Sequence, residues 1–430
     1  MVAAVLFGAM LLLFALGVPI AMALGLAGVA GVTELGNAGF SVVMQRMFYG
    51  LDSFVILAVP LFMFLGELML AARITERLVE FAQAFVGRLP GGLGQVAVVS
   101  NMLMAGISGS GTADAAATGV VLVPAMTASG YARPLAAALV GCAATIGPIF
   151  PPSIIMIVYA SVAGVSIARM FVAGLVPGLF MGLALMIIIA IKARRGGIGA
   201  DGPPLSAHTM LRATWRALPV LGMPMLVIGG ILGGVFTPTE SASVACIYGL
   251  LLGLVVYRTV RLRDLPALFG AAALTTGKVM FVLATASAFS WILARAGAPR
   301  QLAALPIFAA GTPAWAIMTG LDLLLLTLGC VMEAIPILLI ITPMFLPIAA
   351  KAGIDPIYLG VIMAANLSIG LITPLIGSVT FVMCGISRVP LLEFGRQSLP
   401  FVAILLVGLL VITYLPSMVL FLPNLLLGAE

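Results

Sequence analysis

The stretch "GISGSGTADAAATG", Gly106 to Gly119, is a polar and glycine-rich interruption in a strongly apolar chain. Its hydroxyls and its one carboxyl group stand where a lipid-facing helix would carry only apolar side chains. Closely spaced glycines allow a tight turn and let the backbone approach a ligand. Irregular backbone at membrane depth is tolerated only where it is buried in protein or lines a cavity. The stretch therefore predicts a turn inside a membrane protein.

Composition places the whole chain in a membrane. Of its 430 residues 63% are hydrophobic and 8% are charged, whereas soluble domains carry about 25% charged residues. Apolar runs recur along the chain and predict about ten spans. The net charge of +6 comes from short loops, so it indicates orientation rather than nucleic-acid binding. The four cysteines lie far apart without a CxxC pair, which predicts small core residues rather than disulfides or metal ligands.

Glycines and prolines repeat at a fixed distance along the chain. A displacement of 223 residues places "TIGPIFP" (145–151) over "SIGLITP" (368–374) without a gap. Further upstream the displacement is 219 and aligns Pro19 with Pro238. We predict two related halves, 1–215 and 216–430.

Basic loop residues give the predicted orientation, because cytoplasmic loops carry an excess of Lys and Arg. Three clusters are assigned to the cytoplasm: Arg73, Arg77 and Arg88; Lys192, Arg194, Arg195, Arg212 and Arg216; and Arg258, Arg261 and Arg263. The predicted spans are 2–16, 18–34, 50–70, 133–160, 168–192, 217–236, 239–257, 271–294, 356–384 and 398–422. Five spans per half invert the second half and place both termini outside.

Two further apolar segments, 93–128 and 312–349, are too long for one straight span and must leave on the side that they entered. We predict re-entrant helical hairpins, and we predict breaks in spans 133–160 and 356–384 at their Gly and Pro residues. The predicted fold is an all-α polytopic membrane protein of two inverted-topology repeats, each with a hairpin and a broken helix. This architecture is typical of secondary transporters.

The hairpin tips and the breaks hold the candidate chemistry. Hydroxyl and carbonyl oxygens without thiols or imidazoles suit a hard monovalent cation, and half-helix N-termini suit an anionic substrate. The residues concerned are Ser108, Ser110, Thr112 and Asp114 in the first half, and Glu333, Asn366, Ser368 and Thr373 in the second. Asp114 as a helix cap remains an alternative, and so do serines and glycines that only permit close packing.

Four other ionisable residues lie in or near apolar segments. Lys278 and Asp322 each fit a structural pairing or a snorkelling group as well as a site. Glu67 stands at a span end, where a structural role is favoured. Arg295 fits an interface anchor or a partner for a substrate carboxylate.

Two other functional classes stay open. A channel also uses broken helices to line its pore. An intramembrane serine protease of the rhomboid type would use Ser108 of "GISG" as its nucleophile, but it needs a base within reach. The only histidine, His208, lies outside the predicted spans.

Several long blocks resemble the large membrane subunit of tripartite ATP-independent periplasmic (TRAP) transporters, the DctM-like family. They are "GISGSGTADAAATGVVLVPAMTASGY", "IGPIFPPSIIMIVYA", "GVFTPTESASVACIYG", "MEAIPILLIITPMFLPIAAKAGIDPIYLGVI" and "NLSIGLITPLIG". The resemblance implies a non-enzymatic, sodium-coupled elevator transporter of the bacterial inner membrane. It also implies a small four-helix membrane subunit, a periplasmic substrate-binding protein and an organic carboxylate as substrate, with no cofactor besides the coupling sodium ions.

The resemblance also carries site residues to matching positions. For sodium it implies Ser108, Ser110, Gly147, Gly329, Gly370 and Thr373. For the substrate it implies Asp114, Ser153, Arg295, Glu333 and Asn366. Many relatives have a double proline after the threonine of the second break, whereas this chain reads Thr373-Pro374-Leu375, so the geometry of the second site departs from the family pattern.

Overall fold

The computed structural model describes residues 2–35, 39–196, 206–309, 311–373 and 377–428. Within these ranges the chain forms twenty α-helices and no β-strand. Helices α1 to α10 are Val2–Ala15, Ile20–Leu35, Phe40–Tyr49, Ala58–Ala71, Ile74–Val86, Gly92–Ser108, Gly111–Ala128, Arg133–Ala144, Ile154–Ala163 and Ile167–Gly196. Helices α11 to α20 are Ala207–Leu232, Pro238–Leu251, Leu265–Arg295, Ala298–Ala303, Ala314–Gly329, Ala334–Lys351, Pro356–Gly370, Ser378–Ser387, Leu391–Tyr414 and Pro416–Leu427.

Helix length and hydropathy agree with a membrane protein. Six described helices are long and apolar enough to cross a bilayer, and the bent pair α4–α5 makes a seventh if it counts as one span. Most of the remaining helices are apolar but shorter, and several are halves of broken spans. The predicted class, an all-α polytopic membrane protein, is confirmed.

Each of the four segments in which an interruption was predicted is divided into two helices. Span 133–160 divides into α8 and α9, and span 356–384 divides into α17 and α18. Segment 93–128 divides into α6 and α7, and segment 312–349 into α15 and α16. Gly, Pro or short polar residues interrupt three of these elements near the middle, whereas α15 ends at Gly329 and the residues before α16 are Cys330 to Glu333.

Three predicted span boundaries differ from the observed helix ends by eight residues or more. Span 50–70 begins only at Ala58, and after a bend of 74° the chain continues as α5, so that Arg77 lies on a helix and not in a loop. Span 217–236 begins ten residues earlier, at Ala207. Span 398–422 ends at Tyr414, because Pro416 starts a new helix and cannot continue the old one.

Helix starts recur at the distance found in the sequence. Gly111 and Ala334 begin α7 and α16, and the two positions are 223 residues apart. Arg133 and Pro356 begin α8 and α17 at the same distance. The recurrence agrees with two related halves. Their boundary near residue 215 and their inversion across the bilayer stay predictions.

The first hairpin folds back on itself. Gly109 has a φ of 61°, which places its backbone in the left-handed region between α6 and α7. Thr118 Oγ1 donates a hydrogen bond to Asn101 Oδ1 at 3.2 Å, which joins positions at equal distances on either side of the tip. The second pair, α15 and α16, is likewise in contact.

Helices α4 and α13 form a wall beside the hairpins. They pack against each other, with the rings of Phe64 and Phe269 stacked at 4.4 Å. Short helix α3, which sequence analysis did not predict, packs on α13 and places Arg46 4.7 Å from the centre of the Trp291 ring.

Candidate functional site

A cavity of about 440 Å³ lies between the wall and the interrupted helices. Helix α4 contributes one face of its surface, including Met63, Gly66 and Glu67, and α13 contributes Thr275, Lys278 and Val279. The opposite side is formed by both hairpin tips and both helix breaks. Segments that are far apart in sequence therefore share one cavity.

Four helix N-termini begin at this cavity. The first residues of α7 (Gly111), α9 (Ile154), α16 (Ala334) and α18 (Ser378) all line it. The first turn of a helix has unpaired N–H groups and a partial positive charge. Only α9 has a side-chain cap among the four, since Ser153 accepts from Met156 N, whereas α7, α16 and α18 have none. The cavity is thus suited to bind an anion.

The first tip lies directly on the first break. Ile154 N donates a hydrogen bond to Gly109 O at 3.3 Å. A Cβ added at Gly109 would lie 2.3 Å from Pro152 O, so only glycine permits this approach. Ser153 Oγ donates to Pro148 O at 2.5 Å and so closes the break on itself. Ser153 is fully buried and does not line the cavity.

Asp114 lies behind the first tip and not in the cavity. It is fully buried, and Ser108 Oγ donates a hydrogen bond to its Oδ1 at 2.5 Å. Its Oδ2 has no hydrogen-bond partner among the described residues. A Cβ added at Gly147 would lie 2.4 Å from that oxygen. The structure therefore groups Ser108, Asp114 and Gly147, which combine a hydroxyl and a free carboxylate oxygen in a closed space.

Ser110 and Thr112 present hydroxyls at the cavity. Their oxygens lie 3.1 Å apart, and both side chains are half-buried and line the cavity. Ser110 N donates to Ser108 Oγ at 3.2 Å, which links these hydroxyls to the buried group behind the tip.

In the second half, Gly329 and Gly370 bring two helix ends together. A Cβ on Gly370 would lie 3.1 Å from the Cα of Gly329. Thr373 Oγ1 donates to Gly370 O at 2.8 Å. All three predicted residues of the second sodium site are therefore adjacent. Pro374 and Leu375, where the sequence departs from the family pattern, lie outside the described residues.

Asn366 belongs to a buried polar network. Its Nδ2 donates to Asp322 O at 3.0 Å and to Asp322 Oδ1 at 2.9 Å, and Thr413 Oγ1 donates to Asp322 Oδ2 at 2.9 Å. The network joins α15, α17 and α19. Neither Asn366 nor Asp322 lines the cavity. Asp322 thus takes part in a buried structural pairing, which is one of the alternatives that its position in the sequence left open.

The predicted charged residues separate in space. Glu333, at the N-terminus of α16, lines the cavity. Arg295 ends α13 and is exposed, 17 residues beyond Lys278 and hence about 25 Å along the helix axis. It does not line the cavity. Lys278, for which a site was one of the alternatives, lines it, and so does Glu67, for which a structural role was favoured. The position of Lys278 near the middle of an apolar helix is the signal that favours a site.

Two other sequence-based hypotheses are resolved. His208 is exposed at the start of α11, while the Ser108 hydroxyl is bonded to Asp114, so the Ser–His pair that a protease would need is not formed. Within the described ranges no group of three His, Cys, Asp or Glu residues could hold a metal. All four cysteines are free; Cys142 and Cys246 are buried, whereas Cys330 and Cys384 are half-buried.

Comparison with known families gives one match over nearly the whole chain. The family described as "Tripartite ATP-independent periplasmic transporter, DctM component" matches residues 7–418.

Individual relatives agree with this match. The isethionate TRAP transporter permease protein DctMQ of Oleidesulfovibrio alaskensis is 37% identical over 417 residues, which are 97% of this chain and 66% of that protein. The chain thus spans slightly less than two thirds of that relative. The C4-dicarboxylate TRAP transporter large permease protein DctM of Pseudomonas aeruginosa is 38% identical over 93% of both chains. The sialic acid TRAP transporter large permease protein SiaM of Vibrio cholerae is 35% identical over 98% of both.

Solved structures share the fold at low sequence identity. The YdaH transporter of Alcanivorax borkumensis matches with a TM-score of 0.57 and 17% identity, over 90% of this chain and 89% of that one. MtrF of Neisseria gonorrhoeae matches with a TM-score of 0.60 and 14% identity, over 89% and 85%. At these identities the likeness concerns the fold alone.

Proposed function

The chain belongs to the DctM family, the large permease components of tripartite ATP-independent periplasmic transporters, and from this premise we propose that it is a sodium-coupled importer. The sodium gradient drives an organic carboxylate inward through the cavity. The chain is a multi-pass membrane protein and a transporter subunit, not an enzyme. The inner membrane is its proposed location, with both termini in the periplasm.

An anionic substrate is supported by one observation above all, the four helix N-termini that begin at the cavity. Three of them lack a side-chain cap. In α18 the Val379 N–H already donates to Leu371 O, so α7 and α16 are the helix starts whose first N–H groups are best placed for carboxylate oxygens. Relatives are named for isethionate, C4-dicarboxylates and sialic acid, which are all anions. The substrate class follows from this chemistry, whereas the particular anion does not.

Sodium coupling is supported by two clusters of oxygen atoms next to the tips. In the first, Ser108, Asp114 and Gly147 enclose a carboxylate oxygen that has no partner among the described residues. A sodium ion there would satisfy that oxygen. Asp114, which the family resemblance assigned to the substrate, is therefore proposed as a ligand of the sodium ion. In the second cluster, Gly329, Gly370 and Thr373 place carbonyl and hydroxyl oxygens at the meeting of two helix ends.

Movement of the two tips against the wall is the proposed transport step. The cavity has α4 and α13 on one side and the hairpins and breaks on the other. If the second group slides as one unit, the substrate and the ions move together across the bilayer. A small four-helix membrane subunit and a periplasmic substrate-binding protein are the proposed partners, as the family description implies.

Sodium binding can be tested on the purified, detergent-solubilised chain. We expect a higher melting temperature in NaCl than in equimolar KCl or choline chloride, because an ion that binds only the folded state stabilises it by about 2.7 kcal/mol at 100 times its Kd. Equal melting temperatures in the three salts would contradict sodium binding by this subunit.

Transport can be tested in proteoliposomes with both partners. Uptake of a labelled carboxylate should need a sodium gradient and the binding protein. Uptake that continues without the binding protein would favour a channel.

A further inference from the structure

Lys278 lies in the middle of a membrane helix and opens into the cavity. It is two residues from the midpoint of α13, or about 3 Å along the axis. Together with Thr275 and Val279 it forms the face of α13 that lines the cavity. Both ends of α13 are much farther away than a lysine side chain can reach, which argues against snorkelling to a helix end. Lys278 is exposed and lines the cavity, so its ammonium group is accessible to an anion bound there.

The charged residues that line the cavity distinguish Lys278 from its neighbours. Among the described residues that line the cavity, Lys278 is the one basic residue, and Glu67 from α4 and Glu333 from α16 are the acidic ones. Among the described residues it forms no ion pair within 4.0 Å. Lys278 and the uncapped helix ends are therefore the groups of this cavity that favour an anion. Arg295, the basic residue that the sequence suggested, is about 25 Å away along the same helix.

The opposite side of the cavity completes a binding site for a carboxylate. Ser110 and Thr112 supply hydroxyls, and α7 and α16 supply N–H groups from their first turns. A carboxylate can accept from such donors with one oxygen and from an ammonium with the other.

We propose that Lys278 binds the carboxylate of the transported substrate from the α13 side of the cavity and so selects for anions. This inference rests on the proposed function. Because Lys278 lies on the wall and the hydroxyls lie on the hairpin tip, sliding of the tip breaks the lysine contact. The lysine therefore holds the substrate in one state of the transport cycle and releases it in the other.

The test compares Lys278→Gln with Lys278→Arg and with Lys351→Gln as a matched control. Lys351 ends α16, is exposed and does not line the cavity. Each purified variant is melted at saturating NaCl with increasing succinate, malate or N-acetylneuraminate, and separately with increasing NaCl alone. The anion that raises the wild-type melting temperature most is used for the comparison.

We expect Lys278→Gln to raise the half-effect concentration of that anion by about tenfold or more, because hydrogen bonds to charged groups are the stronger ones. Lys278→Arg should retain most of the anion response, and Lys351→Gln all of it. The sodium titration should be the same in all four proteins, whereas a merely structural role of Lys278 would change both titrations.

An unchanged anion titration in Lys278→Gln, with a normal sodium response, would overturn this inference alone. So would a wild-type protein that responds to sodium but to none of the three anions. A wild-type protein without any sodium response would instead contradict the proposed function.

Discussion

Asp114 and Gly147 face each other across the gap between the first hairpin and the first break. The Asp114 Oδ2 atom has no hydrogen-bond partner among the described residues, and a Cβ added at Gly147 would lie 2.4 Å from it. A buried carboxylate oxygen without a partner is costly in a protein interior. Gly147 is thus the residue whose missing side chain leaves room beside that oxygen.

Gly147→Ala should therefore abolish the sodium-specific rise in melting temperature. The added methyl group would occupy the space beside Asp114 Oδ2, and relief of the contact needs movement of a carboxylate that Ser108 already holds. Overpacking of this kind costs about 1–3 kcal/mol of unfolding free energy. Melting of the purified variant in NaCl and in KCl measures both effects.

Gly385→Ala is the matched control for that substitution. Gly385 lies in α18, and a Cβ there would meet no atom within 4 Å. Its sodium response should equal that of the wild type. A full sodium response in Gly147→Ala would show that the ion does not bind beside Asp114.

Ser108→Ala should destabilise the protein more than Ser110→Ala. The first substitution removes the hydrogen bond to the Asp114 carboxylate, and a buried group without its partner costs about 1–3 kcal/mol. The Ser110 hydroxyl is half-buried at the cavity and is bonded to Thr112, so its loss is easier to compensate. Melting temperatures in KCl, where no sodium contributes, make the comparison. Equal losses in the two variants would contradict the assigned hydrogen bonds.

Much of the architecture could be predicted from local signals. Polar, Gly and Pro residues inside apolar runs located the first tip and both broken helices, because such residues interrupt helices in any context. The repeat of 223 residues likewise follows from single glycine and proline positions. The start of span 50–70 and the end of span 398–422 were misplaced. Pro416 is itself a local signal for the second of these boundaries, because a proline starts a new helix more readily than it continues an old one.

The sequence did not predict which residues lie together around the cavity. Lys278, near the middle of α13, lines the cavity, whereas Arg295, which the resemblance assigned to the substrate, ends the same helix and does not line the cavity. Asp114 follows the first tip in the sequence and is buried behind it, whereas Glu333 lies in the second tip and lines the cavity. Short α3 was missed because ten residues with mixed polarity give a weak signal.

Gly370→Ala should weaken sodium binding at the second cluster. A Cβ at Gly370 would lie 3.1 Å from the Gly329 Cα and 3.3 Å from its carbonyl oxygen. These are backbone atoms, so the two helix ends must separate and the Thr373–Gly370 arrangement must shift with them. We expect a higher half-effect concentration of NaCl in melting experiments, with the Gly385→Ala variant unchanged. An identical titration in Gly370→Ala and the wild type would place the ion elsewhere.

Asp322→Ala should cost stability without abolishing the sodium response. It leaves the Asn366 amide and the Thr413 hydroxyl without their buried acceptor, at about 1–3 kcal/mol for each unsatisfied group. Thr413→Val removes one partner only and should cost less. Because both substitutions affect the same hydrogen bond, the double variant should lose less than the sum of the single losses, by about 0.5–3 kcal/mol.

Chemical denaturation of the four proteins in NaCl and in KCl gives the coupling and the sodium response together. Strict additivity would show that Thr413 and Asp322 act independently, and loss of the sodium response in Asp322→Ala would place this network in the ion site.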